Sequence, residues 1–296
     1  MIYGITGNTD KDRLWQPVAT LIQWMTDQGI AYLLHPTIAR GLQARNLVAP
    51  SLLHTPATDD MAAEVDIMIS FGGDGTLLRS AHEVGTRGTP ILGVNIGRLG
   101  FLANLEVGQL EATIAQLEKD EYTNESRLVL SVEIEVEGEP ERLWALNEIV
   151  IERGGPVGML AIEVYVDGRF LNQYWADGLI VSTPTGSTAY SLAVGGPIVA
   201  PGSDVLILSP LAPHSLTVRP IVIPSSSVME ARVISSRQPY VLAADGVSTE
   251  PRADNARILI RKAAHSVTLV TLPDQHYFQT LRSKLTWGGG QPGNGE

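Results

Sequence analysis

Gly72-Gly73-Asp74-Gly75-Thr76 is the segment of this chain best suited to chemistry. An apolar run, Val65–Phe71, leads into it, and a helix-like stretch, Leu77–Val84, leads out. A strand that passes through glycines into a helix presents unpaired backbone N–H groups and the positive end of the helix dipole, which suits phosphate. Glycines at 72, 73 and 75 allow a ligand to approach without side-chain interference. Asp74 is the odd member. A carboxylate beside phosphate repels it unless a divalent cation bridges them or the carboxylate meets a hydroxyl. The combination points to phosphoryl transfer. The plainer alternative is an ordinary strand–helix turn with Asp74 as the cap. Walker A is absent, and the dinucleotide fingerprint fails because Leu78 stands where its third glycine belongs.

A second cluster runs from Asp177 to Ser191. The apolar stretch Gly178–Ser182 enters a turn carrying hydroxyls at Thr183, Thr185, Ser187, Thr188 and Tyr190. Such a turn either hydrogen-bonds a purine edge or ribose, or simply caps a short helix. Asn147-Glu148 interrupts the apolar run Leu143–Ile151. Adjacent strand residues point to opposite faces, so one of the pair faces inward and needs partners unless the strand is a solvated edge. Asp245-Gly246 reads as a hairpin turn.

The elements around these residues change character along the chain. Ile2–Thr6, Ile30–Leu34, Val65–Phe71 and Pro90–Asn95 read as strands. A helix carrying Leu14, Val18, Leu21, Ile22 and Met25, with Pro17 in its first turn and Gly29 at its end, lies between the first two. Further helices are expected at Leu77–Val84 and Gln109–Leu117. Strands alternating with helices imply a doubly wound parallel sheet. From Leu128 the period becomes two, and Asp167-Gly168 joins Ala161–Val166 to Phe170–Tyr174 as a hairpin. Many short strands, ending with Val267–Leu272, suggest an all-β, sandwich-like domain. The expected division is an α/β domain over 1–123, a β domain over 124–272, and a C-terminal helix (Tyr277–Trp287) in 273–296 returning to the first. The glycine-rich tail from Gly288 is expected to be disordered.

Composition narrows the partners. The 296 residues carry a net charge of −11, which argues against a nucleic-acid coat. There is no cysteine, and the six histidines show no metal-ligand spacing. No apolar run approaches the ~20 residues of a membrane span. The N-terminus lacks a signal-peptide profile, so a cytoplasmic enzyme is expected.

Taken together, Gly72 through Thr76, Asn95-Ile96-Gly97-Arg98-Leu99-Gly100-Phe101-Leu102, Asn147-Glu148, Asp177 through Tyr190, and Ala244-Asp245-Gly246 resemble the NAD kinases in order and spacing. Thr183-Pro184-Thr185-Gly186-Ser187-Thr188-Ala189-Tyr190 is the most specific part. The resemblance implies an NAD site between two domains and transfer of the ATP γ-phosphoryl group to the adenosine-ribose 2′-hydroxyl. Asp74 would meet that hydroxyl as the catalytic residue, with Gly75 beside it. Asn147 and Tyr190 would recognise adenosine, with Thr188, Ala189 and Ser191 nearby. Glu148 and Asp245 would reach the nicotinamide ribose, Asp177 would lie near a subunit contact, and Arg79 would offset phosphate charge. Gly72, Gly73, Gly75 and Thr76 would hold the triphosphate with a divalent cation, Mg²⁺. Partners would be NAD and ATP or polyphosphate, in a homo-oligomer, dimer or tetramer. Trp175 and Val247 depart from the family, where a basic residue and Gln are frequent.

Because a carboxylate is a weak base for a sugar hydroxyl, Asp74 is expected mainly to align the nucleophile, with late proton transfer. The rivals are a lipid or sugar kinase sharing the glycine turn, a non-catalytic NAD sensor, and an oxidoreductase.

Overall fold

The first strand, β1 (Ile2–Gly7), is buried from Tyr3 to Thr6. The amphipathic α1 (Trp15–Asp27) follows and buries Trp15, Val18, Leu21, Ile22 and Met25. Pro17 sits in its first turn, where its missing N–H leaves no bond unmade. Gly29, at φ 69°, ends the helix, with Ile30 N–H donating to the Met25 carbonyl at 2.8 Å. The computed structural model describes residues 1–135, 139–155, 158–234, 239–250, 252 and 256–287. The glycine-rich tail lies outside these. Two compact units emerge: Met1–Ser126 with Val267–Glu296, and Arg127–Ser266.

The first unit continues with β2 (Ala31–Leu34), α2 (Pro36–Ala44), α3 (Met61–Glu64), β3 (Ile67–Gly72), α4 (Asp74–Val84) and β4 (Ile91–Asn95). Then come β5 (Leu105–Glu106), α5 (Leu110–Leu117) and β6 (Thr123–Arg127). Strand β1 pairs in parallel with β2 on one side and β3 on the other, and β3 pairs in parallel with β4. All six residues of β3 are buried, as a strand covered on both faces requires.

The second unit comprises β7 (Leu130–Glu135), β8 (Glu141–Ala145), β9 (Glu148–Arg153), β10 (Leu160–Val166), β11 (Arg169–Ala176) and β12 (Gly178–Ser182). It continues with α6 (Tyr190–Ala193), β13 (Val205–Leu211), β14 (Ile221–Pro224), β15 (Met229–Val233), β16 (Tyr240–Ala244), β17 (Val247–Ser248) and β18 (Arg257–Lys262). Two sheets form, ordered β11-β10-β15-β18-β7-β8 and β14-β13-β12-β9-β16-β17. One core joins them, with Val132, Ile162 and Ile258 from the first and Ile151, Leu179 and Leu208 from the second. This is the expected sandwich. Asp167 (φ 50°) and Gly168 (φ 75°) make the tight turn between β10 and β11.

The chain then returns to the first unit. Strand β19 (Val267–Thr271) pairs in parallel with β4, giving the order β2-β1-β3-β4-β19-β6, and α7 (Tyr277–Leu285) follows. The expected boundary at 272 is corrected to 266. A half-buried alternating run looks alike in either sheet, and only its pairing partner decides. At the other end, β6 joins the first sheet, so that boundary moves from 123 to 126. The run Leu143–Ile151, read as one strand, is split between β8 in one sheet and β9 in the other.

Candidate active site

In the first unit the strand order reverses at β1, so the crevice at the carboxyl ends of β1 and β3 is the expected ligand position of a doubly wound sheet. A cavity of about 530 Å³ opens there, lined by the loop after β1, the Gly72-Gly73 turn and the loop after β4. Helix α4 starts at Asp74, earlier than the sequence suggests, with Gly73 as its N-cap and no side-chain cap bond. Capping is therefore not the role of Asp74. Its carboxylate instead reaches residues 101–103, accepting the backbone N–H groups of Phe101 (2.8 Å), Leu102 (2.9 Å) and Ala103 (3.0 Å). Gly100 is required beneath it, because a Cβ there would collide with Asp74 Oδ1. Gly72 packs against the Thr76 side chain, whereas Gly73 and Gly75 face open space. Arg79 lies apart from the main cavity. It lines a smaller one of about 190 Å³ with Thr6, His35, Thr37 and Glu83.

The second unit gathers Asn147, Glu148, Tyr190 and Asp245. Asp245 (φ 49°) and Gly246 (φ 82°) form the hairpin turn between β16 and β17. The turn also does more than reverse the chain. Its carboxylate accepts the N–H groups of Leu146 and Asn147, both at 2.8 Å, and of Glu148 at 3.4 Å. These bonds fix the place where the chain leaves β8 for β9. Asn147 and Glu148 are both buried, which excludes the solvated-edge reading.

Glu148 is 8 % exposed, and its Oε2 meets no hydrogen-bond donor. The N–H of Tyr190 donates to its carboxylate. Burial, and then the negative charge of Asp245, push the Glu148 carboxyl up to about 7. The Tyr190 phenol is also raised, by burial first and then by the charges of Glu152, Asp177 and Glu148. Asp177 pairs with Arg153 at 3.2 Å.

The hydroxyl turn packs on the same segment. Thr183 Oγ1 donates to the Leu146 carbonyl at 2.6 Å and accepts the Gly186 N–H at 3.1 Å. Gly186 lies so close to the Asn147 carbonyl that no side chain fits. Ser187 is spent on both backbone groups of Val199, and Thr188 donates to the Thr185 carbonyl. Ser191 is buried with its hydroxyl against Ser209 at 3.1 Å, so only its backbone remains for a ligand. Ala189 sits between this turn and α6.

Some relevant residues do not stand out in the sequence. Thr185 Oγ1 is buried without a partner, a signal that only coordinates reveal. Lys11, Arg13 and Arg98 border the main cavity. The rule that ligands sit beyond the carboxyl ends of strands could have found them, since they lie in the loops after β1 and β4. Trp175 and Val247 are exposed by 53 % and 70 %. Among the described residues no group of three or more His, Cys, Asp or Glu could hold a metal, and no helix is long and apolar enough to cross a membrane.

Comparisons with known proteins agree with this layout. Residues 3–122 match the model of the ATP-NAD kinase N-terminal domain, and residues 146–272 that of the C-terminal domain. An NAD kinase of Bacteroides fragilis is 39 % identical over 291 residues, covering 97 % of this chain and 98 % of the relative. One from Cytophaga hutchinsonii is 35 % identical over 288 residues, with the same coverage. Among solved structures, yeast NADH kinase complexed with NADH shares the fold, with a TM-score of 0.90 at 23 % identity, over 98 % of this chain and 89 % of that one. An NAD kinase from Archaeoglobus fulgidus in complex with ATP has a TM-score of 0.74 at 25 % identity, over 97 % and 99 %.

Proposed function

This chain belongs to the NAD kinase family, and from that premise we propose that it transfers the γ-phosphoryl group of ATP to the adenosine-ribose 2′-hydroxyl of NAD, giving NADP and ADP. The carrying observation is the Gly72–Thr76 turn at the head of α4, whose Gly72 and Gly73 line a cavity at the reversal point of a doubly wound sheet. Phosphoryl transfer depends chiefly on positioning and charge neutralisation. Asp74 suits the first need, because three backbone N–H groups fix its carboxylate. It aligns the acceptor hydroxyl and takes its proton late in the transfer.

Adenosine recognition falls to Asn147, Tyr190 and the backbone of Thr188, Ala189 and Ser191. The nicotinamide-ribose side falls to Glu148 and Asp245. The free Glu148 Oε2 supports this assignment, since a ribose hydroxyl would supply its missing donor. Asp177 completes the assignment; Arg79, expected to offset phosphate charge, lines a separate small cavity beside Glu83 and not the one lined by Gly72 and Gly73, so its part in the site is the weakest of the set.

Mg²⁺ commonly uses one or two carboxylates plus substrate phosphates. Asp10 and Asp12 border the cavity and fit that habit. The ion would neutralise phosphate charge there. We further propose a cytoplasmic homo-oligomer. Edge strand β11, with Phe170 and Trp175 exposed, supports self-association.

The test incubates the protein with NAD, ATP and Mg²⁺ and reads NADP with an NADP-dependent dehydrogenase. Diacylglycerol and fructose 6-phosphate serve as rival acceptors. Polyphosphate replaces ATP in a parallel arm. NADP formation from NAD alone among the acceptors is expected. Binding of NAD without phosphorylation would favour a sensor.

A further inference from the structure

Three side chains of one sign surround the cavity at the ends of β1, β3 and β4, in a chain of net charge −11. Lys11 and Arg13 come from the loop after β1, and Arg98 from the loop after β4. Among the described residues no carboxylate forms an ion pair with any of them, although Asp10 and Asp12 line the same space. Exposed basic residues usually scatter. Three unpaired ones converging on a concave surface, beside a helix N-terminus, create a local field for an anion.

The loops that carry them are fixed. Asn8 N–H donates to the Phe71 carbonyl at 2.9 Å, and the Asn8 side chain accepts the Asp10 N–H at 3.1 Å. The Leu14 N–H then closes on the Lys11 carbonyl at 3.0 Å. Gly7 permits this approach, since a Cβ would press on the Phe71 backbone. On the other side, Ile96 N–H donates to the Gly72 carbonyl at 3.3 Å. Asn95 is 7 % exposed and lines the cavity, its Oδ1 accepts the Gly97 N–H, and among the described residues its amide NH₂ meets no acceptor. Among the described residues Ile96 is the one apolar side chain in the lining, and no aromatic ring borders it to stack on a base.

We propose that Lys11, Arg13 and Arg98, with the Asn95 amide, form a clamp for the phosphate chain of the phosphoryl donor, gripping its phosphates and not its base. The clamp rests on the NAD kinase reading for its role in turnover, but not for its ability to bind a phosphate chain. ATP and inorganic polyphosphate share the chemistry it recognises.

The test compares wild type with the double variant Lys11→Gln/Arg98→Gln, the single variant Arg13→Gln, and Arg40→Gln, an exposed α2 residue, as control. Calorimetric titration with inorganic tripolyphosphate and Mg²⁺, without NAD, reads the clamp directly. Steady-state assays read KM for ATP, polyphosphate and NAD separately. Loss of a charged hydrogen bond predicts that the double variant binds tripolyphosphate at least about tenfold more weakly. KM for each donor used by wild type should climb by a similar factor, with KM for NAD within about twofold. Arg13→Gln should move in the same direction and Arg40→Gln should not move. Unchanged tripolyphosphate affinity in a folded double variant overturns the clamp. So does a rise in KM for NAD that matches the rise for the donor, which would assign these cations to the dinucleotide's own diphosphate. If wild type makes no NADP yet binds tripolyphosphate through Lys11 and Arg98, the kinase reading falls and the clamp stands.

Discussion

Asp245 Oδ1 accepts the backbone N–H of Asn147 at 2.8 Å, tying the hairpin turn after β16 to the crossing from β8 to β9. The neighbouring Leu146 and Glu148 N–H groups use the same carboxylate. Asp74 repeats the arrangement in the first unit, with three consecutive N–H groups at 101–103. Each aspartate therefore has a structural duty besides any contact with substrate. Asp245→Asn keeps the left-handed backbone, which Asn tolerates, but weakens the three-bond acceptor. A stability loss of about 1–2 kcal/mol is expected, measured by urea unfolding. Removing the charge should also bring the Glu148 carboxyl down, because Asp245 helps hold it up.

Glu148 gives the protein a pH dependence of known sign. Its folded value of about 7 lies above the ordinary 4.5, so the folded state holds its proton longer. Its contribution is fully present below pH 4.5 and disappears as pH rises through 7. The total is about 3 kcal/mol. Glu148→Gln should abolish that slope, making the variant the more stable protein at pH 8 and not at pH 4. Unfolding curves at four pH values between 4 and 8 check this. An identical slope in both proteins would remove Glu148 as its source.

Gly100 offers a way to disturb Asp74 without replacing it. A methyl group at residue 100 would strike Asp74 Oδ1. Gly100→Ala should lower kcat at least about tenfold with little change in KM for NAD. Asp74→Asn should lower kcat by orders of magnitude, roughly 10²-fold or more. Normal turnover in both variants would take Asp74 out of the reaction.

Two threonines of one turn should behave differently. Thr185 Oγ1 is buried without a partner, whereas Thr183 Oγ1 holds the Leu146 carbonyl and the Gly186 N–H. Thr183→Val should cost about 2 kcal/mol. Thr185→Val should leave the melting point unchanged or higher while raising KM for NAD severalfold. Equal melting losses would show that Thr185 is structural.

Strand β11 forms an outer edge of its sheet and exposes Phe170 and Trp175. If the proposed homo-oligomer forms through this edge, wild type should sediment as an oligomer and Phe170→Glu with Trp175→Glu as a monomer. An unaltered mass would place the contact elsewhere.

Local patterns carried most of the architecture. Fully apolar β3 announced a strand covered on both faces, and Asp167-Gly168 announced its turn. Helix α2 was hidden, because its first turn depends on Pro36 and on the His35 ring accepting the Thr37 N–H. The destination of Val267–Thr271 was equally hidden, since alternation specifies a half-buried strand but not its neighbour. At the site, Gly72–Thr76 was legible because glycine needs a backbone reason. The second duty of Asp74 was not, since its partners lie 27 to 29 positions away and offer only main-chain atoms. Lys11 and Arg13 resemble any surface pair until the strand order places them beside Gly72.

Strand β19 also constrains synthesis. The parallel sheet draws its first four strands from before the sandwich, yet the strand beside β4 emerges only after the whole sandwich. On the ribosome the later-made unit can therefore close first, while the earlier one waits with a gap between β4 and β6. A released chain ending at residue 266 should yield a protease-resistant sandwich attached to a cleavable amino-terminal half.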